Sequence, residues 1–119
     1  MKIDTHQHYW RYQPRDFGWI SDSMPVLQHD FAPADCLEPM RTADITASIA
    51  VQARSMEQET DFLLQLASDN ASVLGVVGWT DLRSAQLQER LEHWTQNPAL
   101  RGFRPVSYTH LTLPTKRIV

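Results

Sequence analysis

The sequence predicts an α/β fold on a parallel sheet, and two patterns carry that reading. Segments rich in Val, Ile and small apolar residues alternate with segments whose apolar residues recur at helical spacing, in the order βαβαβαβ. After a long first connection the segments follow one another closely, and strands alternating with helices pair in parallel through right-handed crossovers. Two architectures use that order, an open doubly wound sheet and a closed (β/α)8 barrel. A barrel needs about 250 residues, so a chain of 119 residues holds only its first half. No Gly-rich phosphate fingerprint follows any strand, which counts against the dinucleotide-binding form of the open sheet.

The elements are read in order. Residues 2–8 (KIDTHQH) form a short strand and its end, and residues 9–32 a long loop rich in Trp, Tyr, Pro and Asp. Residues 33–43 read as a helix, in which Pro39 is tolerable only near the first turn. Residues 45–54 (ITASIAVQAR) are a β-branched strand. Ser55 and Gln58, three apart, open the next helix as a capping box, and Phe62, Leu63, Leu66 and Ala67 form its apolar face. Residues 73–81 (VLGVVGWTD) are nearly continuously apolar, as in a strand covered on both faces. A helix over 84–96 carries Leu87, Leu91 and Trp94 at helical spacing, and a fourth strand begins over 100–104.

The totals bound the partners. With 42% hydrophobic and 21% charged residues the composition is that of an ordinary globular protein. A net charge of −3 without clustered Lys and Arg gives no footprint for nucleic acid. No stretch approaches the roughly 20 apolar residues of a membrane span, and the polar N-terminus does not read as a signal peptide. A cytoplasmic location is expected, with the single cysteine, Cys36, an inert thiol in helix packing.

Asp4, His6 and His8 share one parity, so a strand turns all three to one face. Two imidazoles two residues apart at a strand's C-terminal end are placed to grip one divalent cation. Asp4, deeper, is placed to orient a ligand. Such a site activates water or polarises a carbonyl.

The run Asp4-Thr5-His6-Gln7-His8-Tyr9-Trp10 resembles the opening of amidohydrolase-superfamily barrels of the amidohydrolase-2 type, in particular the L-fuconolactonase-like branch. The resemblance continues through residues 17–20 (FGWI), 51–54 (VQAR), 57–60 (EQET), 76–82 (VVGWTDL) and 100–104 (LRGFR). It implies the N-terminal half of a (β/α)8 TIM barrel over residues 1–104, from a parent that hydrolyses sugar-acid lactones. It also implies that His6 and His8 are metal or active-site histidines. Members differ in metal use, so the expectation is one divalent ion, Zn or Mn, or none, with both histidines then bonding substrate. The remaining histidines and a catalytic aspartate come from later strands, so the 119-residue chain alone is expected to be inactive.

Gln52 and Arg54, at the end of the second strand, are candidates to reach the pocket, Arg54 through its forked donors. Arg104, ending the fourth strand, is a second candidate for a carbonyl or anionic group, and Trp79 on the third for stacking on a sugar ring. In the long loop, Tyr9, Trp10 and Trp19 are stacking candidates or plugs of the barrel mouth. Asp81 reads as a helix cap, His29 as a surface residue and His93 as structural. The expected partner is a small-molecule sugar lactone. The alternatives are another H-x-H enzyme of the superfamily (a decarboxylase or a metal-dependent deoxyribonuclease) and a non-catalytic module acting by association.

From Pro105 to Val119 the patterning stops, and the segment resembles the translation of a sequencing-library adapter. Residues 105–119 are therefore expected to be a non-native tail, and His110 carries no functional weight. Relatives tend to carry His where this chain has Pro105, a departure that such a junction explains.

Overall fold

A computed structural model of the chain describes residues 2–17 and 19–105. Residues 106–119, most of the expected tail, and His110 lie outside the described residues.

The elements are β1 (Lys2–Gln7), α1 (Pro33–Thr42), β2 (Ile45–Val51), α2 (Glu57–Asp69), β3 (Val73–Gly78), α3 (Leu87–Trp94) and β4 (Leu100–Phe103). The four strands form one parallel sheet in the order β1-β2-β3-β4, with Asp4 beside Ser48, Ile49 beside Gly75 and Val77 beside Gly102. Sequential order with a helix between each pair of strands is the arrangement of a (β/α)8 barrel. Leu63, Leu64, Val73, Val76, Ala50, Tyr9 and Trp94 form the core between sheet and helices.

Two strands end earlier than their composition suggests, and α2 is the cause. Its Glu59 and Thr60 are both fully buried. Glu59 Oε2 accepts the Ala53 amide at 2.7 Å and the Arg54 amide at 3.3 Å, which takes both out of the ladder, and β2 stops at Val51 rather than Arg54. The Thr60 hydroxyl donates to the Trp79 carbonyl at 2.6 Å and accepts from its amide at 2.8 Å, just past the end of β3 at Gly78 rather than Asp81. Gly78 permits that approach, because a Cβ there would stand 2.5 Å from the Thr60 hydroxyl.

The helix starts differ too. No side chain caps α2 at Met56. The Ser55–Gln58 box does not form, and the helix begins at Glu57 with Met56 at its N-cap. In α1, Asp35 reaches back to the Ala32 amide at 2.9 Å. Pro39 lies well inside this helix rather than in its first turn, and Asp44 at φ 60° turns the chain out of it. The long loop is closed at its neck by paired bonds between Trp10 and Phe31, at 2.9 and 2.8 Å. It is packed by its own side chains, with Phe17 and Ile20 buried. No helix among the described residues is long and apolar enough to cross a membrane.

Candidate active site at the strand ends

The C-terminal ends of β1, β2 and β4 bring His6, His8, Gln52 and Arg104 together. His6 on β1 and His8, one residue past its end, turn their imidazoles together beyond the register shift between Asp4 and Gln7, with ring centroids 4.9 Å apart and the two Nε2 atoms 3.2 Å apart. His8 Nδ1 lies 3.0 Å from the Val51 carbonyl. A carbonyl only accepts, so Nδ1 carries the proton and Nε2 turns its lone pair toward His6. Burial lowers the pKa of His8; the Val51 carbonyl opposes the shift, and Arg104 and His6 reinforce it. The neutral imidazole, which is the ligating form, is therefore favoured.

Arg104 donates through Nε to Gln52 Oε1 at 2.6 Å and through Nη2 to the Gln52 carbonyl at 3.3 Å, and its Nη1 stands 3.4 Å from His6 Nε2. Gln52 is almost fully buried. Its amide nitrogen donates to the Val77 carbonyl at 2.8 Å and its side chain to the Arg54 carbonyl at 3.0 Å. Gln52 thus sets the direction of the guanidinium, and does so from a rigid strand end. A cleft of about 390 Å³ opens here, lined by His8, Trp10, Trp19, Ala53 and Arg104. A larger depression of about 520 Å³ lies against α2 and α3, around Asp61 and His93, and holds none of the candidate residues.

The donor set fits part of a metal site. Two nitrogens on one tetrahedral ion, each at about 2.0–2.1 Å, stand roughly 3.3 Å apart, close to the 3.2 Å of His6 and His8. The Val51 bond supplies the tautomer lock that metal-bound histidines ordinarily carry. Among the described residues no group of three His, Cys, Asp or Glu gathers to complete it.

Other candidates are placed elsewhere. Arg54 does not join the imidazoles: its Nε donates to Glu59 at 2.8 Å, its Nη1 to Asp16 at 3.4 Å, and it lies over the Phe62 ring. Strand alternation ended at Val51, so the parity that pointed Arg54 to the pocket no longer applied. Tyr9 is fully buried, with its hydroxyl 2.7 Å from that of Ser48, a core aromatic rather than a rim residue. Trp79 is partly buried and does not line the cleft. Asp4 accepts the His6 backbone amide at 3.0 Å, so it positions the main chain below the imidazole and not the ring. Trp10 and Trp19 do rim the cleft, Trp10 packed on Phe31 and Phe17. Glu59, Thr60 and Asp16 were not singled out from the sequence. Glu59 and Thr60 lie in the 57–60 (EQET) segment of the resemblance, but an acid in the first turn of a helix is ordinary and gave no sign of a buried role.

The chain is 51% identical over 105 residues to an L-fucono-1,5-lactonase of Burkholderia multivorans, and 34% identical over 106 residues to that of Burkholderia ambifaria. The matches cover 87% and 88% of this chain but 35% and 36% of those proteins, so the chain spans about a third of their length. Crystal structures of an amidohydrolase from Burkholderia multivorans, one with bound Zn and one with bound Hepes, superpose with a TM-score of 0.81 at 49% identity. Each match covers 87% of this chain and 36% of the other. No family model matches the chain.

Proposed function

We propose that this chain, whose fold is that of the N-terminal part of an amidohydrolase barrel, contributes the first part of the active site of a sugar-acid lactone hydrolase. The observation that carries the reading is the convergence of two imidazole nitrogens 3.2 Å apart with a guanidinium 3.4 Å from one of them, at the C-terminal ends of parallel strands.

In the reaction, water adds to the ring carbonyl, the ring C–O bond breaks, and the alkoxide leaving group takes a proton to give the open-chain hydroxy acid. Arg104, aimed by Gln52, donates to the carbonyl oxygen as it gains charge. Trp10 and Trp19 offer faces against which a sugar ring stacks. Neutral His8, and His6 beside it, are the residues to hold a divalent ion, with further ligands and a carboxylate base from later strands. When bound, that ion supplies Lewis acidity toward the carbonyl and a lowered pKa for the attacking water. The preference for Zn rests on the related crystal structure described with it.

The test is a chimera in which residues 1–104 replace the corresponding part of the Burkholderia multivorans lactonase. It is expected to hydrolyse L-fucono-1,5-lactone, and His6→Ala or His8→Ala is expected to abolish turnover. A folded chimera without activity toward lactones overturns the reading. The 119-residue chain alone is expected to give no turnover.

A further inference from the structure

The long loop touches the cleft at one end and is tied down at another. Trp19 lines the cleft, and Phe17, two residues before it, is buried beneath the Trp10 ring at 5.8 Å. Asp16, next to Phe17, is the loop's only ionic link to the strand ends among the described residues, through Arg54 Nη1 at 3.4 Å. The side chains of Asp16 and Arg54 are only 13% and 19% exposed, so solvent screens this pair less than the other arginine–acid pair of the loop, Arg15 with Asp16 at 4.0 Å. Arg54 is itself immobilised. Its Nε is held by the buried Glu59 carboxylate, whose other oxygen fixes the amides of Ala53 and Arg54. Ala53 forms the cleft wall, and the residue before it, Gln52, holds Arg104.

We infer that Asp16 is a positioning residue for substrate binding: through Arg54 and Glu59 it fixes the aromatic side of the cleft, Trp10 and Trp19, relative to the wall that carries Arg104. This deepens the lactonase reading and gives Arg54 a role through the loop, not at the reacting atoms. The chain of contacts is acid, guanidinium, acid, so each link can be cut separately. Asp16→Asn removes the loop's half and leaves the Arg54–Glu59 pair intact. Arg54→Lys keeps the charge but loses the fork that serves both acids at once.

The direct test is amide hydrogen exchange on the 119-residue chain, followed by mass spectrometry of the peptide spanning 12–20. Its turn bonds, from Asp16 and Phe17 to Gln13 and from Ile20 to Phe17, report loop opening. Asp16→Asn and Arg54→Lys are each expected to speed exchange there by on the order of tenfold, while peptides of β2 and β3 keep their rates. Glu38→Gln, at an exposed pair on α1, is expected to change nothing in the loop. Unchanged loop exchange in Asp16→Asn, with sheet protection retained, overturns the inference whether or not any lactone is turned over. In the chimera, Asp16→Asn is expected to raise KM several-fold with kcat held. A fall in kcat at constant KM also overturns it. If the parent chimera has no activity the lactonase reading fails, and the exchange result alone then decides the positioning role.

Discussion

Replacing Arg54 by methionine leaves the Glu59 carboxylate buried without its cation. Removing one partner of a buried pair costs about 3–5 kcal/mol, because the remaining charge stays desolvated. Here Glu59 is fully buried and its bond from Arg54 Nε is 2.8 Å, but it keeps two backbone amides, at 2.7 and 3.3 Å, and the Arg54 side chain is 19% exposed. Those remaining donors and the partial exposure of the arginine place the expected loss at the lower end, about 3 kcal/mol, a hundredfold or more in the folding equilibrium. Glu59→Gln keeps an acceptor for the amides while removing the charge, so on its own it is expected to lose about 1–2 kcal/mol. The double variant should then be no worse than Arg54→Met alone, which gives a coupling of at least about 1 kcal/mol in a double-mutant cycle. Urea unfolding followed by tryptophan emission gives the four free energies, and exchange of the Ala53 amide gives the local opening directly. A loss below about 1 kcal/mol for Arg54→Met, with no coupling, would show the pair behaving as an exposed ion pair and refute the reasoning.

Thr60→Val removes both bonds to the Trp79 main chain and is expected to cost about 2–3 kcal/mol, read in a thermal melt; a change within about 0.5 kcal/mol would mean that water serves those groups. Gly78→Ala brings a Cβ to 2.5 Å from the same hydroxyl and is expected to cost about 1–3 kcal/mol by overpacking, measured the same way. Burial raises the pKa of Tyr9 above 10.0, against the bond with Ser48, so the fold favours the protonated phenol. Its contribution is complete below pH 10 and is lost as pH climbs through the raised value. Tyr9→Phe should accordingly flatten the alkaline limb of the stability curve, and an unaltered limb would count against this. Burial first, then Asp35 and Asp4, raise the pKa of the Cys36 thiol above 9.0. Iodoacetamide should therefore label it more slowly in the folded chain than in urea, with the rates converging only at high pH; equal rates at neutral pH would contradict the shift.

The order of elements was legible in the sequence because it depends on local periodicity. Alternation predicted one face for His6 and His8, β-branched residues marked β2 and a nearly continuous apolar run marked β3, whatever lay around them. Where those strands stop was not legible. Glu59 and Thr60 read as ordinary first-turn residues of a helix, and only packing α2 on the sheet turned them into terminators for β2 and β3. Arg54 shows the consequence. Counted along a strand it points into the pocket, but the strand had already ended, and a buried acid and a loop aspartate captured its guanidinium. Sequence by itself determined the alternating α/β order, since it follows from periods of two and 3.6 residues, and the H-x-H spacing anticipated the paired imidazoles although β1 ends before His8. Only the tertiary structure decided which arginine stands beside those imidazoles, because that depends on where buried charges find partners across elements distant in the chain.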